Sequence, residues 1–146
     1  MAVKTDAVGK TWEPVSFDVE GERISRYADA VGEPNPVHRD ANTAKQADFR
    51  DVVAPPMFAV VYQFPAMAVA GIDPEADMNI AALVHGGQEF VWGEPVCAGD
   101  TIDTSVTCTE IYERDGKGFY VFEAVSTNQE GAETVRDTWT NIVRGV

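Results

Sequence analysis

The chain has 146 residues, 45% of them hydrophobic, a size and composition that fit one domain with one buried core and do not fit a disordered chain. A net charge of −13 argues against nucleic acid as a partner, because phosphates would be repelled. No basic segment followed by an apolar one opens the chain, so export is not expected and a cytoplasmic location is.

"TWEPVSFDV" (11–19) alternates roughly and carries β-formers, which predicts a first strand or extended arm. In the next segment (20–32) Ile24, Tyr27, Ala28 and Val31 fall at i, i+3, i+4 and i+7, one face of a helix, and Gly32 supplies a stop. "EPNPVHRD" follows as a loop holding one of only two histidines in the chain, and "ANTAKQADF" reads as a short helix. A turn needs no imidazole, so this loop raises the question of a proton-transfer group.

The longest apolar stretch, Val52 to Gly71, contains three prolines and a glutamine and lacks aromatic or basic flanks, so it is not expected to cross a membrane. Pro55-Pro56 suits a first helical turn, where the missing N–H groups would be unpaired anyway. From Met57 to Ala70 the segment is apolar on nearly every side, which predicts a helix surrounded by other structure, bent at Pro65. The remaining chain is β-branched and aromatic. Segments 81–92, 101–113, 118–128 and 133–145 read as four long antiparallel strands, and "RDGKG" is the strongest hairpin signal between them. The order predicts an α+β domain spanning residues 1–146, with one buried helix against a meandering sheet.

Cys97 and Cys108 lack metal-binding spacing, and reduced thiols are expected; no metal is expected either. Five of the eleven basic residues (Arg23, Arg26, Arg39, Lys45 and Arg50) cluster beside the proline loop. They form either a solvated face or a positive patch for an anionic substrate. His85, at a strand start, is read as solvent-facing or pairing, Asp100 as a turn residue, and Trp12, Trp92 and Trp139 as packing.

"YADAVGEPNPVHRD" before the buried helix and "FVWGEPVCAGDTI" after the first long strand resemble the MaoC-like hydratases and dehydratases of the hot-dog fold. "APPMF" and "LVHGGQEF" are similar to the branch of N-terminal MaoC-type dehydratase domains. The resemblance covers nearly the whole chain. It implies a long antiparallel sheet wrapped around one central helix, and pairing of two such units. It also implies (R)-specific hydration of 2-enoyl thioesters, or dehydration of 3-hydroxyacyl thioesters, of coenzyme A or acyl carrier protein, with no cofactor. The family signature is an Asp, then Asn-Pro, then a His five positions after the Asp. Asn35, Pro36 and His38 match it, and Glu33 fills the Asp slot. Hydration needs a water held and deprotonated while a proton reaches the α-carbon, and an imidazole with a carboxylate supplies both functions.

The resemblance thus implies His38 as general base or acid and Glu33 as the group that orients water. Asn35 is expected as an Asx-turn residue that also borders the substrate. Arg39 and Arg50 are expected to contact the carrier's phosphates. Pro56 stands where many members have a glycine whose N–H binds the thioester oxygen. Proline has no N–H, so that donor is expected from the Met57 amide or the Gly86-Gly87 backbone. Phe64 takes the place of a pocket serine. The alternative is a non-catalytic partner subunit in a homodimer or heterodimer with another hot-dog chain. A thioesterase ranks last, because Val60, Val61, Gln63 and Phe64 offer no carboxylate on the central helix.

Overall fold

The computed structural model describes residues 2–146. In chain order the elements are β1 (Val15–Asp18), α1 (Gly21–Ala30), α2 (Ala41–Gln46), α3 (Ala59–Gly71), β2 (Leu83–Trp92), β3 (Thr101–Arg114), β4 (Lys117–Thr127) and β5 (Glu133–Arg144). Single 3₁₀ turns at Pro36–His38, Pro56–Phe58 and Ile80–Ala82 join them. All strand pairs are antiparallel, in the order β1-β3-β4-β5-β2.

Local chemistry explains most of these boundaries. Gly32 takes φ +71° just beyond α1, the left-handed conformation that ends a helix without steric penalty. Asp115 and Gly116 have φ of +53° and +69° between the paired residues Arg114 and Lys117, as a two-residue hairpin turn requires. Asp40 caps α2 by accepting the Asn42 N–H (3.2 Å). The first strand is shorter than expected: Thr11 reaches β3 only through an isolated bridge to Thr107.

Helix α3 lies across the sheet and passes Pro65 unbroken. Near its start, Phe58, Ala59 and Tyr62 pack with Phe17, Ile24, Ile102 and Val135. Further along, Ala66, Met67 and Ala70 pack with Trp12, Val106, Phe122 and Trp139. One expectation fails here. The helix is not surrounded within its own chain: Phe64 is 61% and Ile72 74% exposed on the face turned from the sheet. Its all-round apolar composition therefore cannot be explained by packing inside one chain. Cys97 and Cys108 are both buried and unbridged, and burial pushes the Cys108 thiol up to about 11.

Candidate active site

The proline loop is built to aim one ring. Asn35 sits in extended backbone (ψ 124°) before Pro36, as a residue preceding proline prefers. Its Oδ1 accepts the Val37 N–H (3.2 Å), capping the 3₁₀ turn Pro36–His38 as an Asx turn. The Val53 N–H donates to the Val37 carbonyl (3.1 Å), and Ser25 Oγ donates to the His38 carbonyl (3.1 Å). The backbone around His38 is thus held on both sides.

The His38 side chain is 8% exposed, and its Nδ1 lies 2.6 Å from the Val53 carbonyl oxygen. A carbonyl only accepts, so Nδ1 carries the proton and Nε2 of the neutral ring is the free lone pair. Among the described residues Nε2 has no hydrogen-bond partner, yet no buried side-chain nitrogen or oxygen there is unpaired. Nε2 therefore opens onto accessible space. That space is a cavity of about 470 Å³, bordered by Asn35, His38, Pro56, Tyr62, Trp92 and Thr134. Its size suits a small-molecule site. Tyr62 and Thr134 form its floor, with Tyr62 Oη 3.2 Å from Thr134 Oγ1, which in turn donates to the Ser126 carbonyl. Burial pushes the Tyr62 phenol up to about 12, against the partly compensating Thr134 hydrogen bond, so the ring stays neutral at physiological pH.

Pro56, in the turn that leads into α3, borders this cavity, and Met57 beside it does not. Among the described residues the Met57 N–H makes no hydrogen bond within the chain, as expected for a first-turn amide. It remains a free donor at the positive end of the helix dipole.

The other expected residues lie elsewhere. Glu33 does not border the cavity; its Oε1 accepts the Asn35 N–H (3.0 Å), folding the carboxylate over its own loop. Gly86 and Gly87 sit at a bulge in β2, away from His38. A Cβ on Gly86 would fall 2.5 Å from Ile142 Cδ1, so this glycine serves the contact of β2 with β5 rather than an oxyanion. Arg39 staples the loop, donating to Asp29 Oδ1 (2.7 Å) and to the Glu33 (2.6 Å) and Asn35 (3.2 Å) carbonyls. Arg50 grips Asp100 with two parallel bonds of 2.7 and 2.8 Å. Both guanidiniums are thus engaged internally, and Asp100 is more than a turn residue. It is 1% exposed and also accepts from the Cys97 N–H and from Gln129. Burial pushes its carboxyl up, but these donors outweigh that and hold it below its ordinary value. No group of three or more metal-ligating side chains occurs among the described residues, and no helix there is long and apolar enough to cross a membrane.

Three contributors escaped sequence reading. Tyr62 and Thr134 are separated by 72 residues and meet only in the fold. Trp92, read as packing, is 48% exposed, stacks on Phe90 and borders the cavity. Gly93 beside it has a discernible signal, the turn-like "WGEP": a Cβ there would fall 2.1 Å from the Glu133 carbonyl oxygen.

Residues 6–137 match the family described as "FAS1-like, dehydratase domain region". A UPF0336 protein of Thermobifida fusca is 33% identical over 146 residues, covering 99% of this chain and 96% of that protein. The crystal structure of a C-terminally truncated HadBC (3R-hydroxyacyl-ACP dehydratase) complex from Mycobacterium tuberculosis superposes with a TM-score of 0.83 at 25% identity. It covers 96% of this chain and 99% of that one. The (R)-hydratase PhaJ1 of Pseudomonas aeruginosa shares the fold, with a TM-score of 0.74 at 18% identity over 100% of this chain and 90% of that one.

Proposed function

The chain belongs to the FAS1-like dehydratase-domain family with the MaoC-like hot-dog fold, and from that premise we propose that it is an (R)-specific 2-enoyl thioester hydratase, acting in reverse as a 3-hydroxyacyl thioester dehydratase. The observation that carries this reading is the fixed tautomer of His38. Its Nδ1–H is spent on the Val53 carbonyl, which leaves Nε2 as an unpaired base facing an apolar cavity.

In the hydration direction, Nε2 takes a proton from water as the water oxygen adds to C3 of the enoyl group. The electron pair of the double bond moves toward the thioester oxygen, and as it returns C2 takes up the proton that Nε2 removed from the water, which completes the addition and restores the neutral imidazole. Negative charge developing on the thioester oxygen is met by the Met57 N–H, the free amide at the start of α3. Glu33 holds the Asn35 N–H through Oε1 and lies off the cavity, so to orient the water, the role its place in the family signature assigns it, its carboxylate must first turn from that bond. Coenzyme A and acyl carrier protein both present the acyl group on a phosphopantetheine arm, and either serves as carrier.

A second reading has its own observation. Glu33 lies off the cavity and Pro56 has no N–H, so the chain acting as a partner that completes another hot-dog subunit is the alternative. The HadBC neighbour is likewise a complex. Crotonyl-CoA hydration by the purified protein alone, followed as loss of enoyl absorbance, separates the two. Turnover by the wild type supports the enzyme. Inactivity alone, with activity gained on adding a hot-dog homologue that carries the full dyad, moves this chain to the partner role.

A further inference from the structure

A second cavity, of about 400 Å³, is bordered by α3 and by the paired strands β2 and β5. It shares no lining residue with the cavity of His38. Met67, Met78 and Leu83 give it apolar walls. Trp139 adds only its ring, because its Nε1–H is donated to Gln63 Oε1 (3.2 Å).

Two polar side chains interrupt these walls. His85 on β2 and Asn141 on β5 are directly paired across the strands, and both border the cavity. Side chains paired in this way share one face of the sheet and can reach one ligand group together. His85 is exposed, its ring nearly perpendicular to that of Trp139 with 5.2 Å between centroids. Asn141 takes an inward position on β5, in the buried alternation Asp137, Trp139, Asn141, Val143, and is 6% exposed. Among the described residues its amide makes no side-chain hydrogen bond, yet no inaccessible side-chain nitrogen or oxygen there is unpaired. The amide therefore keeps its polar atoms on the small accessible surface that faces the cavity. A nearly buried amide with no partner costs stability that a leucine of similar size would not. Its presence points to a partner from outside the chain.

We propose that this cavity binds an aliphatic carboxylic acid, with the head held by Asn141 and His85 and the tail along Met67, Met78 and Leu83. Asn141 Nδ2 and an imidazole N–H are two donors side by side, and a carboxylate offers two acceptor oxygens. The charge balance favours the same head. No carboxylate borders the cavity, so an ammonium head would enter unpaired, whereas the imidazole can take up a proton and pair with an anion. The two methionines give the tail an adaptable wall.

The test is NMR titration of the labelled protein with octanoate and, separately, with octylamine. The net charge of −13 favours the amine over the surface as a whole, so a preference for octanoate has to come from local donors. Octanoate should shift the Asn141 side-chain amide and the His85 ring signals, and octylamine should not. Asn141→Leu should weaken octanoate binding at least about tenfold, read at the Trp139 indole N–H, as loss of one hydrogen bond to a charged group would give. If that variant does not fold, His85→Phe, at an exposed position and with a ring kept against Trp139, should weaken binding in the same direction. Equal binding of the two probes, unchanged affinity in the variants, or octanoate shifts confined to His38 and Tyr62 would overturn the site. So would an Asn141 amide that moves with protein concentration and not with octanoate, which would give the cavity to a second copy of the chain.

Discussion

At the residue scale, His38 is the position on which the proposed chemistry depends. Its backbone is held by Ser25 and Val53 without help from the imidazole, so removing the ring should leave the loop in place. His38→Ala should lower kcat by roughly 10²- to 10⁴-fold with an unchanged circular dichroism spectrum. Full activity in that variant would make the imidazole structural. Glu33→Gln keeps an oxygen to accept the Asn35 N–H, so the loop should persist while activity falls, and Glu33→Asp should retain or improve activity. Asp73 offers a pH test of a different kind. Hydrogen bonds from Lys10 Nζ, the Glu75 N–H and Trp12 Nε1 hold its carboxyl down to about 2, tying the N-terminal arm to the end of α3. A carboxyl depressed by folding contributes stability that is full above its unfolded value and is lost as pH falls through its folded one. Between about pH 4 and pH 2 the wild type should therefore lose stability that Asp73→Ala has already lost at neutral pH, so urea midpoints of the two should converge on acidification.

At the element scale, the clasp between Arg50 and Asp100 joins the segment before α3 to the turn before β3. Arg50→Ala leaves a carboxylate that is 1% exposed without its charged partner. The expected cost is about 2 kcal/mol, read as a lower urea midpoint with unchanged slope. An unchanged midpoint would show that Gln129 and the Cys97 N–H suffice. Arg23 is likewise occupied, lying over the Phe17 ring at 4.8 Å. Lys45, exposed on α2 and forming no ion pair among the described residues, remains near Ala47 and Phe49 at the cavity edge. Lys45→Glu should raise KM with little change in kcat, because a carrier phosphate is held alike in ground and transition states. A fall confined to kcat would contradict that assignment.

At the scale of the whole molecule, the apolar surface that one chain leaves uncovered has to be explained. Phe64, Ile72 and Ile80 on the outer side of α3 and its exit are at least half exposed, and Val91 on the edge strand β2 is 69% exposed. Among the described residues strand β2 also ends the sheet, paired with β5 and with no other strand. An unpaired edge and a large apolar patch are liabilities for a lone chain and the material of an interface. The protein should sediment as at least a dimer, with itself or with another hot-dog chain present. A monomer at micromolar concentration in analytical ultracentrifugation would count strongly against this.

The sequence by itself determined the elements whose causes are local. The 3.6-residue spacing from Ile24 to Val31 marks α1, the "RDGKG" turn places the β3–β4 hairpin, and Asn35 caps the histidine loop through an atom two residues away. These depend on neighbours in the chain, so they are legible in order. Only the tertiary structure decided which expected site residues meet. It sends Arg50 to a carboxylate 50 positions away and brings Gln63 to one 74 positions away. It leaves Gly86 and Gly87 in a sheet contact, and it brings Tyr62, Trp92 and Thr134 to the cavity of His38. Side-chain pairing in a folded chain is set by sheet register and by the seat of α3 on the sheet, and neither is written in local spacing.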